Sequence, residues 1–177
     1  MTMINPLPIR LAQTVGITSS LVLAGMTLST SITTVPRLLE SPPSLLLQQW
    51  GHMYDAGKRT GPPISILASL SYFFLAYRAH TSPWLFAGRK AGLFVAAGAL
   101  SVGIVPYTFA VLMQTNRDLL RRVEVMGRVD LSRDEMREMQ EGEKNAHQLV
   151  DQWALLNLGR AAMLVASGLL GVWSVVG

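Results

Sequence analysis

The sequence predicts an all-α protein: an integral membrane four-helix bundle with amphipathic connector helices. Three runs contain no charged residue, namely Leu11–Pro36, Gly61–Tyr77 and Ala91–Asn116, and a fourth, Gln152–Gly177, contains only Arg160. A spanning helix needs roughly 20 mostly apolar residues. We therefore predict a single membrane domain over residues 1–177, with spans at about 11–35, 61–79, 88–116 and 152–176.

Two other interpretations of these runs are weaker. A soluble bundle would show a polar stripe on each helix, and these runs mostly lack one. The first run could be a cleaved signal peptide, but it is longer than the 7–15 apolar residues typical of a signal. We therefore expect a retained first span.

The first connector is predicted to contain a short helix at the membrane interface. Span one is expected to end in a Ser/Thr-rich turn, Ser29–Thr34, before Pro36. Pro42 and Pro43 then open the segment Ser44–Tyr54, whose apolar residues and Trp50 are typical of an interfacial helix.

The third span and the connector after it carry their own helix signals. Pro106 should kink span three, because proline removes a backbone donor. Beyond the span, four apolar residues recur at helical spacing until Gly127: Leu119, Leu120, Val123 and Met126. Ser132 and Glu135 then form a capping box that predicts a further helix.

The charge distribution fits a membrane protein better than a nucleic-acid-binding one. The net charge is +4, and nine of the 11 acidic residues lie between Arg117 and Asp151. The basic excess flanks the spans, where Lys and Arg are expected. With four spans both termini lie on one side, and the basic connectors favour the cytosol for the other side. No nucleic-acid partner is expected.

Several chemistries are excluded or disfavoured by composition. There is no cysteine, which excludes disulfides, thiolate catalysis and iron–sulfur centres. The histidines are His52, His80 and His147, and no HxxxH, HExxH or ExxH spacing occurs. We therefore predict no metal site, and the glycines form no phosphate-binding loop.

Arg160 is the most informative residue in the chain. A charge at the centre of a membrane costs about 3 kcal/mol or more, so it normally has a partner, a polar pocket or a task. Asn157 and Trp153 precede it by three and seven residues and share its helix face. The sequence thus predicts a polar pocket near the connector-side face of the membrane.

Antiparallel packing brings further polar residues toward this pocket. Tyr107, Thr108 and Asn116 lie late in span three, while His147 precedes span four. Tyr107 and Asn116 are nine residues apart, which places them nearly opposite on an ideal helix. His52 and Tyr54 lie in the first connector.

Plainer roles compete for each of these residues. Tyr107 and Trp153 could be interfacial aromatic residues, and Asn157 could tie two helices together. His52 and His147 could be exposed loop residues. Arg160 could extend to the interface or pair with an acid of the third connector.

The pattern as a whole resembles a known family. Four apolar spans, Pro106-Tyr107-Thr108 with Thr115-Asn116 late in the third, and Trp153-x3-Asn157-x2-Arg160 opening the fourth are similar to the fungal anthrone oxygenases. These are small integral membrane proteins of polyketide pathways. The resemblance covers about Gly16 to Gly171.

The resemblance implies oxidation of a polyketide anthrone to the anthraquinone by O2, without a cofactor. Under this hypothesis Arg160 and Asn157 stabilise the substrate oxyanion, His52 or His147 is the base, and Tyr107 is a donor or relay. Trp153 and Tyr54 would stack on the substrate, with Asn116 and Thr108 also lining its site.

The resemblance also implies partners and a location. The partners would be a small aromatic polyketide and membrane lipid, with a homo-oligomer left open, in the endoplasmic reticulum or another endomembrane. Two alternatives remain. One is oxidative coupling or cyclisation of a related phenolic polyketide, and the other is a non-enzymatic membrane assembly or carrier protein.

Overall fold

Four long helices, which run alternately up and down, form the part of the chain that the structure describes. The structure is a computed structural model that describes residues 6–81, 87–126 and 145–177. Helix α1 comprises Leu7–Ser29, a π-helical turn at Thr30–Thr34 and Val35–Leu38. Helix α2 is Pro43–His80. The all-α fold class predicted from the sequence is confirmed.

The second half of the chain follows the same pattern. Helix α3 comprises Ala87–Tyr107, a π-helical turn at Thr108–Leu112 and Met113–Met126. Helix α4 is Ala146–Val176, and the Asn145 side chain caps its start by accepting a 2.8 Å hydrogen bond from the Gln148 amide. The predicted capping box at Ser132 and Glu135 lies outside the described residues.

The helices form a ring in chain order. Each helix packs mainly on its two neighbours in the ring, so α4 closes against both α1 and α3, whereas α2 and α4 face each other diagonally and contact each other less. This is an antiparallel bundle of up-down-up-down order.

The predicted short interfacial helix is not separate, which corrects the expectation for the first connector. Ser44–Tyr54 belongs to the single 38-residue helix α2, which continues through Pro62 and Pro63. Proline inside a helix normally breaks it. Here both flanks are anchored, by Leu46, Leu47 and Trp50 before the prolines and by a second buried cluster after them. The predicted Ser29–Thr34 turn is likewise helical.

The bundle has two parts with different surfaces. The cap comprises residues 35–59, 112–126 and 145–154, and its exposed side chains are mostly polar or charged, including Gln48, Asp55, Arg117, Asp118 and Asp151. The remaining apolar half exposes large apolar side chains on all four helices, including Val22, Leu70, Phe73, Val95, Val102 and Leu169.

Within the described residues, three helices are long and apolar enough to cross a membrane: Leu7–Leu38, Gly88–Met126 and Ala146–Val176. This finding agrees with a membrane protein. Helix α2 does not reach the same hydropathy, because its uncharged stretch also contains prolines and serines such as Pro62, Pro63 and Ser65.

Candidate active site

Two π-helical turns mark the level at which the cap meets the apolar half. One lies at Thr30–Thr34, where the Val35 amide bonds the Thr30 carbonyl five residues back, and the other at Thr108–Leu112. A proline stands beside each turn: Pro36 and Pro106 lack the amide proton of a normal helical bond. Single π-helical turns occur frequently at functional sites, and both of these flank the same stretch of α4.

Asn157 joins α4 to α1 at this level. Its Nδ2 donates to the Thr27 carbonyl at 3.2 Å and to Ser31 Oγ at 2.9 Å, and the side chain is buried. The Ser31 end of this contact lies in the π-helical turn of α1. The amide protons of Asn157 are therefore committed to α1, so the residue occupies the helix-tying role that the sequence left open.

Trp153 joins α4 to α3 one turn closer to the cap. Its Nε1 donates to Asn116 Oδ1 at 2.8 Å, and both side chains are buried. Asn116 faces α4 although it lies nine residues from Tyr107, which also faces α4. The π-helical turn between them explains this, because its wider turn rotates the later residues back relative to an ideal α-helix.

Tyr107 packs closely against α4. Its hydroxyl donates to the Leu156 carbonyl at 3.1 Å. A Cβ atom on Gly159 would overlap the Tyr107 hydroxyl, so the close approach requires glycine there. The neighbouring Thr108 hydroxyl donates to the Ile104 carbonyl at 2.6 Å, within its own helix.

Three aromatic rings fill the centre of the bundle on the cap side. Trp50 stacks on Tyr54, with ring centroids 5.1 Å apart and an interplanar angle of 19°, and meets Trp153 edge-on at 5.8 Å. Trp50 is completely buried. The two helices that contribute to this cluster, α2 and α4, face each other diagonally in the four-helix bundle.

Arg160 crosses the same interior toward α2. Its terminal Nη2 lies 3.8 Å from where a Cβ on Gly61 would stand. Among the described residues, the ionisable groups with the largest effect on its charge are the phenols of Tyr54 and Tyr107. The side chain thus neither faces lipid nor ends among the acids of the cap surface; an ion pair with residues 127–144 would lie outside the described residues.

Two buried side-chain nitrogens lack a hydrogen-bond partner within residues 6–81, 87–126 and 145–177. They are Arg160 Nε and Trp50 Nε1. Unsatisfied buried polar atoms are rare in native proteins and need an explanation. Both occur in the cluster that contains Tyr54.

The two histidines predicted as bases lie elsewhere. His52 is exposed on α2. His147 Nε2 donates to the Ser41 carbonyl at 3.1 Å, at the far end of the cap. Thirteen residues separate His147 from Arg160 on one helix, which is about 20 Å along its axis. The structure therefore does not bring either histidine to Arg160.

The remaining features of the described chain do not add a second site of this kind. Among the described residues, no three His, Cys, Asp or Glu side chains come together as a metal site. An open groove of about 490 Å³ lies on the exposed face of α3, lined by Phe109, Ala110, Met113, Gln114, Arg117 and Asp118. None of the predicted site residues lines this groove.

The chain is similar to a known protein family over most of its length. The pattern of the anthrone oxygenase family matches residues 50–170. The chain belongs to the anthrone oxygenase family. The matched segment runs from Trp50 to ten residues beyond Arg160, so it contains the whole aromatic cluster and Tyr107, Asn116 and Asn157.

Individual relatives of this oxygenase agree over nearly its full length. It is 29% identical to the anthrone oxygenase encC of Aspergillus fumigatus, over 94% of this chain and 93% of the relative. It is 30% identical to the monooxygenase hypC of Dothistroma septosporum, over 86% and 76%. It is 27% identical to the noranthrone monooxygenase of Aspergillus flavus, over 88% and 69%. No solved structure matches the oxygenase.

These matches confirm the resemblance seen in the sequence and identify an oxygenase-like enzyme rather than an assembly factor or carrier. Sequence reasoning missed three parts of this oxygenase's site: Trp50, Gly61 and Gly159. Trp50 resembled an ordinary interfacial aromatic residue, and the glycines were among many in apolar helices. The one available signal was the Gly159-Arg160 pair, where a small residue adjoins the unusual charge.

Proposed function

We propose that this oxygenase converts a polyketide anthrone to the anthraquinone with O2, without a bound metal, flavin or haem. The observation that carries the proposal is Arg160, a cation that extends into the bundle interior toward Gly61 and is influenced most by the phenols of Tyr54 and Tyr107. The substrate class is supported by relatives named anthrone oxygenase and noranthrone monooxygenase.

The chemistry needs little from the protein. An anthrone has an acidic methylene between two aromatic rings, and loss of one proton gives a delocalised anion that can itself reduce O2. Oxygen adds to that carbon, the O–O bond breaks, and the quinone carbonyl and one water form. The protein must bind the flat tricycle, favour the anion and exclude competing reactions.

We assign to Arg160 the role of stabilising the substrate anion. A fixed donor in a site of low dielectric stabilises developing negative charge strongly. This interaction lowers the pKa of the bound methylene, so a weaker base suffices. His52 and His147 stay candidate bases only by sequence, since neither lies near Arg160 in this structure.

The other predicted residues shape the site. Asn157, whose amide is bonded to α1, positions the start of the Arg160 turn, while Tyr107 packs on Gly159 beside it. Trp153 and Tyr54 belong to an aromatic wall that suits a flat substrate. Asn116 anchors Trp153, and Thr108 supports the π-helical turn of α3.

We further propose that all four helices cross the membrane. The part of α2 after Pro63 exposes Ile66, Leu67, Leu70, Phe73 and Phe74, which only lipid would cover favourably. A thickness of about 30 Å corresponds to about 20 helical residues. Counted from Arg78, it ends near Lys58, so the Arg160 cluster lies at the boundary between lipid and cap.

In this arrangement both termini lie on one side of the membrane. The membrane we propose is the endoplasmic reticulum or another endomembrane, and the partners are lipid and an aromatic polyketide. Epitope tags at each terminus, probed in sealed membranes, test it. Equal protection or equal exposure of the two tags is expected. Opposite results would remove the four-span arrangement.

The activity is tested with membranes that contain the protein, incubated with an anthrone under O2. We expect quinone formation with one O2 consumed per quinone, and none above background with Arg160→Leu membranes. Coupled dimers instead of quinone would indicate oxidative coupling. Elemental analysis and an absorbance spectrum of the active purified protein test the cofactor part, which a stoichiometric metal, flavin or haem needed for turnover would contradict.

A further inference from the structure

Two ionisable side chains of the described residues have the largest electrostatic effect on Arg160, and they are not equivalent. Both are phenols, Tyr54 and Tyr107. The Tyr107 proton is committed to the Leu156 carbonyl, and its ring is pressed against Gly159. The Tyr54 hydroxyl has no hydrogen bond to any described residue.

The Tyr54 ring is nevertheless held in place. One face is stacked on Trp50, which meets Trp153 edge-on, and Trp153 is anchored by Asn116. Tyr54 also lies seven residues before Gly61, on the same face of α2, and Gly61 is the point that Arg160 reaches. A fixed ring therefore carries a hydroxyl without a hydrogen bond to any described residue, on the face of α2 that Arg160 reaches.

We propose that Tyr54 is a further catalytic residue, the proton donor to the oxygen that is being reduced. This inference rests on the proposed function and assigns a step that Arg160 cannot perform, because a guanidinium does not give up its proton in proteins. Stacking on the substrate, the role predicted from the sequence, uses the ring alone and leaves the hydroxyl without a task.

The step balances with O2 as the only oxidant. The substrate anion reduces O2 and a carbon–oxygen bond forms, which leaves a peroxide anion on the former methylene carbon. The Tyr54 hydroxyl gives its proton to the terminal oxygen, and Arg160 stabilises the resulting phenolate. The phenolate then removes the last hydrogen from that carbon, the electron pair forms the carbonyl, and the O–O bond breaks. The leaving hydroxide combines with the proton lost first and becomes water.

The surroundings of Tyr54 suit a donor better than an initial base. Burial raises the pKa of Tyr54, and neighbouring Asp55 raises it further, while Arg160 opposes both. At neutral pH the phenol therefore carries its proton and can deliver it.

The test removes only the hydroxyl. Tyr54→Phe keeps the ring stacked on Trp50, and Tyr77→Phe, at a tyrosine exposed on the apolar half, is the matched control. We expect Tyr54→Phe to lower kcat about 100-fold, in the range of a lost general acid, with little change in KM. Tyr77→Phe should match the wild type.

An anaerobic experiment separates this inference from the proposed function. Without O2, the coloured substrate anion should form on wild-type and Tyr54→Phe protein alike, but not on Arg160→Leu protein. Normal turnover by Tyr54→Phe protein would overturn the donor role, and so would loss of anion formation in proportion to the loss of rate. If the wild type forms neither anion nor quinone, the proposed function itself fails. A melting curve and a gel-filtration profile like those of wild type show that the variant is folded. If Tyr54→Phe does not fold, it is replaced by Tyr54→Trp, which keeps a ring but no phenol, with the same expectations.

Discussion

The bundle contains two buried polar layers, which differ in whether their polar groups have hydrogen-bond partners. In the apolar half, Ser20 meets Tyr72 at 2.9 Å, Ser101 meets Ser167 at 2.8 Å, and Ser65 and Ser69 donate to carbonyls of α3 at 2.9 Å. About 10 Å away along α4, the Arg160 layer contains two nitrogens that no described residue pairs with. Where every group is satisfied, the layer holds helices together. Where groups stay unpaired, it has binding capacity left for a ligand.

The two layers also differ in the regularity of their backbone. The serine layer lies in regular helix, and glycines such as Gly171 let Tyr72 approach α4 closely. The Arg160 layer has the two π-helical turns and two adjacent prolines in α2. Irregular backbone thus accompanies the layer that we assign to catalysis, whereas the regular layer serves assembly.

Arg160→Leu should show the difference between the two layers most clearly, because it should lower the rate without lowering the stability. Losing the cation should cost about 3–4 kcal/mol of transition-state stabilisation, a factor of about 10²–10³ in rate. The protein should still insert and melt at an equal or higher temperature, because the charge is costly in an apolar span. Arg160→Lys should rescue poorly, since an ammonium lacks the planar fork. Turnover assays and melting curves on the same preparations measure both effects, and a normal rate would return Arg160 to a structural role.

Gly159→Ala should affect both rate and stability. The new methyl group overlaps the Tyr107 hydroxyl, so the ring must shift and lose its bond to Leu156. Overpacking of this kind costs about 1–3 kcal/mol. The control is Gly25→Ala, where a Cβ has nothing within 4 Å. Equal melting temperatures for both variants would show that Tyr107 is not tightly packed against α4.

Tyr72→Phe should lower stability and leave the rate alone. It removes the hydroxyl that meets Ser20 in the serine layer. Hydrogen bonds between membrane helices contribute about 0.5–2 kcal/mol, which denaturant or thermal unfolding in detergent can resolve. A loss of kcat at full stability would mean that the serine layer takes part in turnover after all.

His147→Ala should have the smallest effect. It removes the bond to Ser41, worth about 0.5–1.5 kcal/mol, and should leave the pH profile of kcat unchanged. His52→Ala, at an exposed position, should change neither quantity. A rate loss near neutral pH that recovers at higher pH would instead identify that histidine as the base.

The sequence was sufficient for the helical class and the antiparallel order, and it singled out Arg160, whose side chain extends into the bundle interior. Each depends on local information: charge-free runs, their lengths and the i, i+4, i+7 spacing of Trp153, Asn157 and Arg160. The family resemblance rested on the same short motifs.

The parts that sequence reasoning missed depend on tertiary packing. Pro62-Pro63 normally ends a helix, and only anchored clusters on both flanks keep α2 continuous. The π-helical turns have no reliable sequence signature, so Tyr107 and Asn116 seemed to face opposite ways. His147 looked available for catalysis because its partner, the Ser41 carbonyl, lies 106 residues away.

The π-helical turns at Thr30–Thr34 and Thr108–Leu112 also bear on how this chain is related to others. Such a turn is equivalent to one extra residue inserted into a straight helix. Removing one residue there would restore ordinary α-helix and leave the residues beyond it facing the same neighbours, because the wider turn already absorbs the extra residue. Relatives with a single-residue gap at that place should therefore lack the turn and keep the same cap contacts. A relative with neither the gap nor the turn would instead have its cap rotated by about 100°, and its cap residues would face a different neighbour.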